Sequence, residues 1–246
     1  MHRFPILGAL MLAALVVAGG SGASPVAAAL GPGMAPDAGR VIVLVRHGNY
    51  DADPAADPTR GPPLNPIGVA QAHLAGARIA GLGLHFDAYR VSPMRRARDT
   101  AAVIAQDLPG STFAVDEDLR ECVPPTRRTE ITKDIDPAEL ASCKAQFDRL
   151  FARYFHPQPG AQGAELLVCH GDVIRYLVTR ALGVDTMAWL EMSVRNASIT
   201  EILIEPDGRF KVITVGDDGF MPANLLTGAT GDPARDLSVP PLPLAQ

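Results

Sequence analysis

Two apolar runs, Val41-Ile42-Val43-Leu44-Val45 and Leu166-Leu167-Val168-Cys169, contain no charged residue. Each reads as a buried strand, and the stretches between them carry helical spacing. Strands alternating with helices confine the chain to one α/β domain, a mostly parallel central sheet with helices on both faces. Both runs end on a His-Gly pair: Arg46-His47-Gly48 follows the first and His170-Gly171 the second. In open α/β sheets ligands bind in the crevice beyond the carboxyl ends of the strands, so both histidines are expected there.

The remaining elements follow from caps and breakers. Asn65-Pro66 opens a helix, the asparagine capping it and the proline taking its first position; Ile79-Ala80 ends it, and Gly81 and Gly83 stop it. A strand over 86–92 leads into a helix over 93–108, and a short strand is expected over 113–115. Residues 118–136, rich in proline, threonine and charge, read as a long loop. An amphipathic helix over 137–155, a strand over 165–169 and a helix over 172–182 follow. Asp207-Gly208, between strands over 198–204 and 209–215, signals a hairpin.

The ends read as lying outside the fold. Met1-His2-Arg3 makes a positive start, Ile6–Ala18 is apolar, and Ala27-Ala28-Ala29 offers small residues for cleavage. This pattern predicts a signal peptide over 1–29 and an exported protein, periplasmic or secreted; anchoring to a membrane by an uncleaved segment is the alternative. A linker over 30–39 then leads into the domain over 40–230, and the Pro-rich tail over 231–246 is expected to be disordered.

A net charge of −5 offers no basic stripe for nucleic acid, so isolated arginines read as local anion sites. The three cysteines, Cys122, Cys143 and Cys169, fit no zinc spacing, and no His, Cys or carboxylate cluster is spaced as metal ligands. No metal or other cofactor is expected. Cys169 reads as core, whereas Cys122 and Cys143 could pair in an oxidising compartment.

Two histidines at strand ends, with an arginine-bearing helix start at Ser92-Pro93-Met94-Arg95-Arg96-Ala97 between them, suit phosphoryl transfer through a histidine. His47 is the expected nucleophile, since a neutral imidazole nitrogen can attack phosphorus. Neighbouring arginines help to keep it neutral. Arg46 and Arg96 are expected to clamp the phosphate, a guanidinium fork matching two oxygens at once. Asn49 adds a candidate phosphate contact, and Gly48 lets the backbone approach the ligand. His170 would donate to a phosphoryl oxygen. Glu121 is the expected general acid and then the base that activates water. His2, His73, His85 and His156 have no supporting neighbours and read as solvated or structural.

Arg46-His47-Gly48, Leu64-Asn65-x-x-Gly68-x-x-Gln71-Ala72, Ser92-x-Met94-x-Arg96-Ala97-x-x-Thr100-Ala101 and His170-Gly171 together resemble the histidine phosphatase, or phosphoglycerate-mutase-like, superfamily. In that pattern the arginine before alanine is the functional one, which selects Arg96 over Arg95. Asn65 stands where threonine is usual, and its capping role survives the change. Leu119-Arg120-Glu121-x-x-Pro124, the string Glu165–Tyr176, Trp189, Asn196–Thr200 and Gly216–Pro222 are similar to the mitochondrial serine/threonine protein phosphatase branch. The resemblance implies metal-free dephosphorylation of phosphoproteins, with small phosphate esters as the other substrate class. It does not carry over the mitochondrial address, because the N-terminus reads as an export signal. The aromatic-rich N-terminal segment that multimerises the mitochondrial enzyme has no counterpart in Ala23–Arg40; the chain could still act as a homodimer. A phosphoglycerate mutase is the alternative on the same chemistry, but Asn49-Tyr50-Asp51 replaces the serine and Trp-Asn pair usual after the motif in mutases. A catalytically silent binding module would be expected to lose His47, Arg96 or His170, and all three are present.

Overall fold

The structure, a computed structural model, describes residues 39–158 and 163–228. The expected signal peptide, the linker apart from Gly39, and the Pro-rich tail lie outside the described residues. β1 (Arg40–Arg46), β2 (Phe86–Val91), β3 (Phe113–Val115), β4 (Gly163–Cys169), β5 (Ile199–Ile204) and β6 (Phe210–Asp217) form one six-stranded sheet in the order β3-β2-β4-β1-β5-β6. β1, β2, β3 and β4 run parallel, whereas β5 pairs antiparallel with both β1 and β6. The mostly parallel sheet is thus as expected, with the Asp207-Gly208 hairpin joining the antiparallel strands.

The helices are α1 (Pro66–Ala80), α2 (Arg95–Asp107), α3 (Thr129–Thr132), α4 (Pro137–Tyr154) and α5 (Gly171–Ala181). Successive side chains of a strand point to opposite faces, and β1 divides accordingly. Ile42 and Leu44 pack in a core with Phe147 and Leu150 of α4 and Val173 and Leu177 of α5. Val41, Val43 and Val45 pack on the other face with Ile79 of α1 and Ala97, Ala101 and Ile104 of α2. Burial on both faces explains why the run carries no charge.

The caps behave as read: Asn65 Oδ1 accepts from Gly68 N at 2.9 Å, with Pro66 in the first turn. α2 begins at Arg95 rather than Pro93 and β6 runs to Asp217 rather than Val215, and two further segments differ from the reading. Residues 118–136 are not a featureless loop; a 3₁₀ turn at Glu117–Leu119 enters it and α3 lies within it. Both are shorter than the span over which periodicity becomes legible. β4 begins at Gly163 rather than Glu165, because Gly163 and Ala164 continue the ladder with Arg40 and Val41 of β1.

Candidate active site

His47 is the first residue beyond β1, and backbone contacts fix it there. Its N–H donates to Cys169 O (2.9 Å), and its carbonyl accepts from Asn196 Nδ2 (3.0 Å) and Ala197 N (3.2 Å). Ala197 is held at φ 53°, the one left-handed non-glycine among the described residues, a strained conformation of the kind that clusters at functional sites. Gly48 also allows a second close approach, within the protein. A Cβ there would stand 2.5 Å from Gly68 O, and a Cβ on Gly68 would collide with Asn49 O. The loop and the first turn of α1 therefore meet backbone to backbone.

The His47 ring is 1% exposed. Its Nδ1 lies 2.8 Å from Gly48 O; a carbonyl only accepts, so Nδ1 carries the proton and Nε2 keeps its lone pair. Arg96 reaches that lone pair, its Nε donating to Nε2 at 3.1 Å while its second nitrogen donates to Glu121 Oε2 at 2.6 Å. Tyr50 lies under the guanidinium, with the Arg96 Cζ 4.9 Å from the ring centre. Arg95, by contrast, is exposed and pairs with Asp99 on the outer face of α2.

His170, first beyond β4, packs against His47 with ring centres 5.1 Å apart. Its Nε2 lies 2.7 Å from Ser92 Oγ, and its Nδ1 lies 3.5 Å from Glu121 Oε2 without a hydrogen-bond partner. Arg46 turns back under the site, donating to Val194 O (2.6 Å) and Gly228 O (2.5 Å) and leaving its buried Nε unpartnered. Asn49 is held through its backbone N–H to Gln71 Oε1 at 2.8 Å. His47, Arg96, Glu121 and His170 therefore meet in one pocket, with Arg46 beside them and Asn49 at its margin. His73 and His85 lie exposed beside Asp107 and Asp87; His156 is exposed, and His2 lies outside the described residues.

Burial holds the His47 imidazole well below its ordinary pKa, and His170 and Arg46 push it further down. Burial, then Arg96 and Arg46, do the same to His170. Both rings are neutral at pH 7. Burial pushes Glu121 up, but the Arg96 and Arg46 charges, with the Arg96 hydrogen bond, outweigh it and hold the carboxyl below its usual range. Asp172 went unnoticed in the sequence. Burial and then the Glu121 charge push it up to about 7, against the pull of Arg175 at 3.0 Å. Ser92, Tyr50, Gln71 and Asn196 were likewise not singled out for the site, although Ser92, Gln71 and Asn196 stand in the motif strings.

The Glu121 loop is fastened from behind. Cys122 and Cys143 form a disulfide to α4, and Gln146 Nε2 donates to Asp118 O (3.0 Å) and Arg120 O (2.8 Å). Cys169 is a buried free thiol in the core. On metals, chain spacing misled: His47, Glu121 and His170 each bring one ligand atom within 4.8 Å of the others. The Arg96 guanidinium already occupies two of these three residues. With Arg46 alongside, the pocket presents fixed positive charge that suits an anion better than a cation.

The family model described as histidine phosphatase superfamily (branch 1) matches residues 42–152 and 149–218. The chain is 36% identical over 192 residues to the mitochondrial serine/threonine-protein phosphatase PGAM5 of Rattus norvegicus, covering 76% of this chain and 66% of the relative. To the Xenopus laevis protein of the same name it is 34% identical over 195 residues, covering 78% and 70%. Among solved structures, a phosphoserine phosphatase of Entamoeba histolytica superposes with a TM-score of 0.56 at 17% identity, covering 74% of this chain and 100% of that one, a likeness of fold. These relatives correct the expectation of an exported, periplasmic or secreted protein, because those named with an address are mitochondrial. A positive start followed by an apolar run is common to segments directed to several membranes, and it does not by itself specify the compartment. Among the described residues no helix is long and apolar enough to cross a membrane. The chain belongs to the histidine phosphatase superfamily, branch 1.

Proposed function

We propose that the protein is a metal-independent phosphomonoester phosphatase that works through a phosphohistidine at His47, with phosphoserine and phosphothreonine in proteins as its substrates. The observation that carries this reading is the His47 imidazole, neutral and oriented by Gly48 O so that its Nε2 lone pair faces the positive pocket. The relatives' name, serine/threonine-protein phosphatase, supports the substrate class.

A phosphate dianion competes with His47 and Glu121 for Arg96, which frees the Nε2 lone pair. The unpartnered Arg46 Nε and His170 Nδ1 offer further donors to its oxygens. Nε2 attacks phosphorus, the P–N bond forms, and the bond to the leaving oxygen breaks. Glu121 supplies the proton that the alkoxide needs. It is ionised in the free protein, but loses Arg96 and meets a second negative charge when substrate binds; both changes raise its proton affinity, and it takes up one proton from solvent as the complex forms. Water then attacks the phosphohistidine, Glu121 takes a proton from it, and the P–N bond breaks to release phosphate.

The test is single-turnover labelling with a radiolabelled phosphothreonine peptide. Acid-labile, alkali-stable label is expected on the wild type and none on His47→Ala, with EDTA leaving the rate unchanged. Label on a serine or cysteine, or activity lost to EDTA and restored by zinc or magnesium, would refute the mechanism.

A further inference from the structure

His170 is fully buried, and its two ring nitrogens have unlike surroundings. Nε2 meets Ser92 Oγ at 2.7 Å, and Nδ1 faces the pocket with no partner. Ser92 follows β2, the strand beside β4, and is itself fully buried. Its oxygen also accepts from Met94 N at 3.3 Å. A serine hydroxyl has one proton to donate. If His170 carried its proton on Nε2 and gave it to Ser92 Oγ, the serine proton would have no acceptor among the described residues. Leaving a buried donor unsatisfied costs about 1–3 kcal/mol. If Ser92 gives its proton to Nε2 instead, the serine is satisfied and His170 turns its own N–H, at Nδ1, toward the Glu121 carboxylate 3.5 Å away, where the other tautomer would turn a lone pair against that negative charge.

We propose that Ser92 is a positioning residue that locks neutral His170 in the Nδ1–H tautomer, so that the imidazole enters the phosphate pocket as a hydrogen-bond donor. The tautomer decides between help and hindrance. A neutral imidazole has one N–H; turned the other way, it would present a lone pair to the phosphoryl oxygens and oppose the charge that gathers there. The electrostatic consequence rests on the phosphatase reading above, but the tautomer itself does not.

The experiment uses the full chain labelled with ¹⁵N-histidine, free and with inorganic phosphate, near pH 7. In the wild type the His170 Nδ1 is expected to show the shift of a protonated ring nitrogen and Nε2 that of an unprotonated one, with the Nδ1 proton shifting on phosphate addition. In Ser92→Ala the two nitrogens should move toward each other or exchange. Single-turnover phosphorylation of His47 should slow about 10–100-fold, the usual size of losing a group that orients a functional imidazole. A wild-type His170 protonated on Nε2 would overturn the proposal, and that measurement stands even if Ser92→Ala does not fold. An unchanged tautomer in a folded Ser92→Ala would overturn it as well. Neither outcome touches the phosphohistidine reading, which is tested separately by the label on His47 and by EDTA.

Discussion

The protein gathers charge in two places, and they are built to opposite rules. Just beyond β3, against α4, the Asp116 carboxylate accepts from Arg153 (2.7 and 2.8 Å), the Tyr154 hydroxyl (2.7 Å) and Asp118 N (3.0 Å), while Asp118 takes Arg149 and the other Arg153 nitrogen. Burial would raise Asp116, but these donors outweigh it and hold it ionised. At the ends of β1 and β4, the pocket keeps Arg46 Nε and His170 Nδ1 without partners. A saturated network fastens segments together; one with donors to spare is completed by a ligand. Substitutions should therefore divide cleanly, with pocket residues moving rate and the Asp116 network moving stability.

The largest effect should come from Glu121→Gln. Single-turnover phosphorylation by a phosphothreonine peptide, whose alkoxide needs a proton, should fall by about 10²–10⁴, and that by p-nitrophenyl phosphate by far less. Equal losses on both would make Glu121 a binding residue. Arg96→Ala should cost roughly 10²–10³ in rate, and Arg95→Ala no more than about twofold, since Arg95 makes only an exposed ion pair. A comparable loss for both would dissolve the contrast between pocket and surface. Tyr154→Phe should do the reverse, lowering unfolding free energy in urea by about 1–2 kcal/mol with kcat unchanged. A drop in kcat would join the two regions that geometry separates.

The smallest effect concerns Asp172, whose pKa is pushed up to about 7. Its folded value lies above its unfolded one, so its stabilising contribution is complete below pH 4 and is lost as pH rises through 7. Thermal melts of the wild type and Asp172→Asn should favour the variant progressively from pH 4 to 7 and run parallel above 8. A difference independent of pH would show that Asp172 is ionised throughout.

Much of this was legible in the chain because it is local. The apolar run before His47 and the Asn65-Pro66 cap each rest on neighbours within a few residues, whereas the choice of Arg96 over Arg95 came from the family resemblance. What escaped was set by partners far away. Arg46 reads as a phosphate clamp, but its hydrogen-bonded nitrogen is held by Val194 and Gly228, more than a hundred residues on. Asp172 looks like an ordinary first-turn carboxylate until Glu121 arrives from another loop. The His47–Glu121–His170 cluster has no spacing signature, because its members come from three segments. The pairing of Cys122 with Cys143 was open in the sequence, since distance between α4 and the Glu121 loop is a property of the fold.

The contact of Gly48 with Gly68 sets a limit on how the protein can be redesigned. The loop carrying the nucleophile and the first turn of α1 meet backbone to backbone, so the two positions behave as a single site in any mutational library. A methyl group on either pushes the helix off the loop, and a change at the second cannot make up for it, because glycine has nothing left to remove. Recombination with a relative should therefore keep its crossovers out of residues 48–68, or the nucleophile will be aimed by one parent and buttressed by the other.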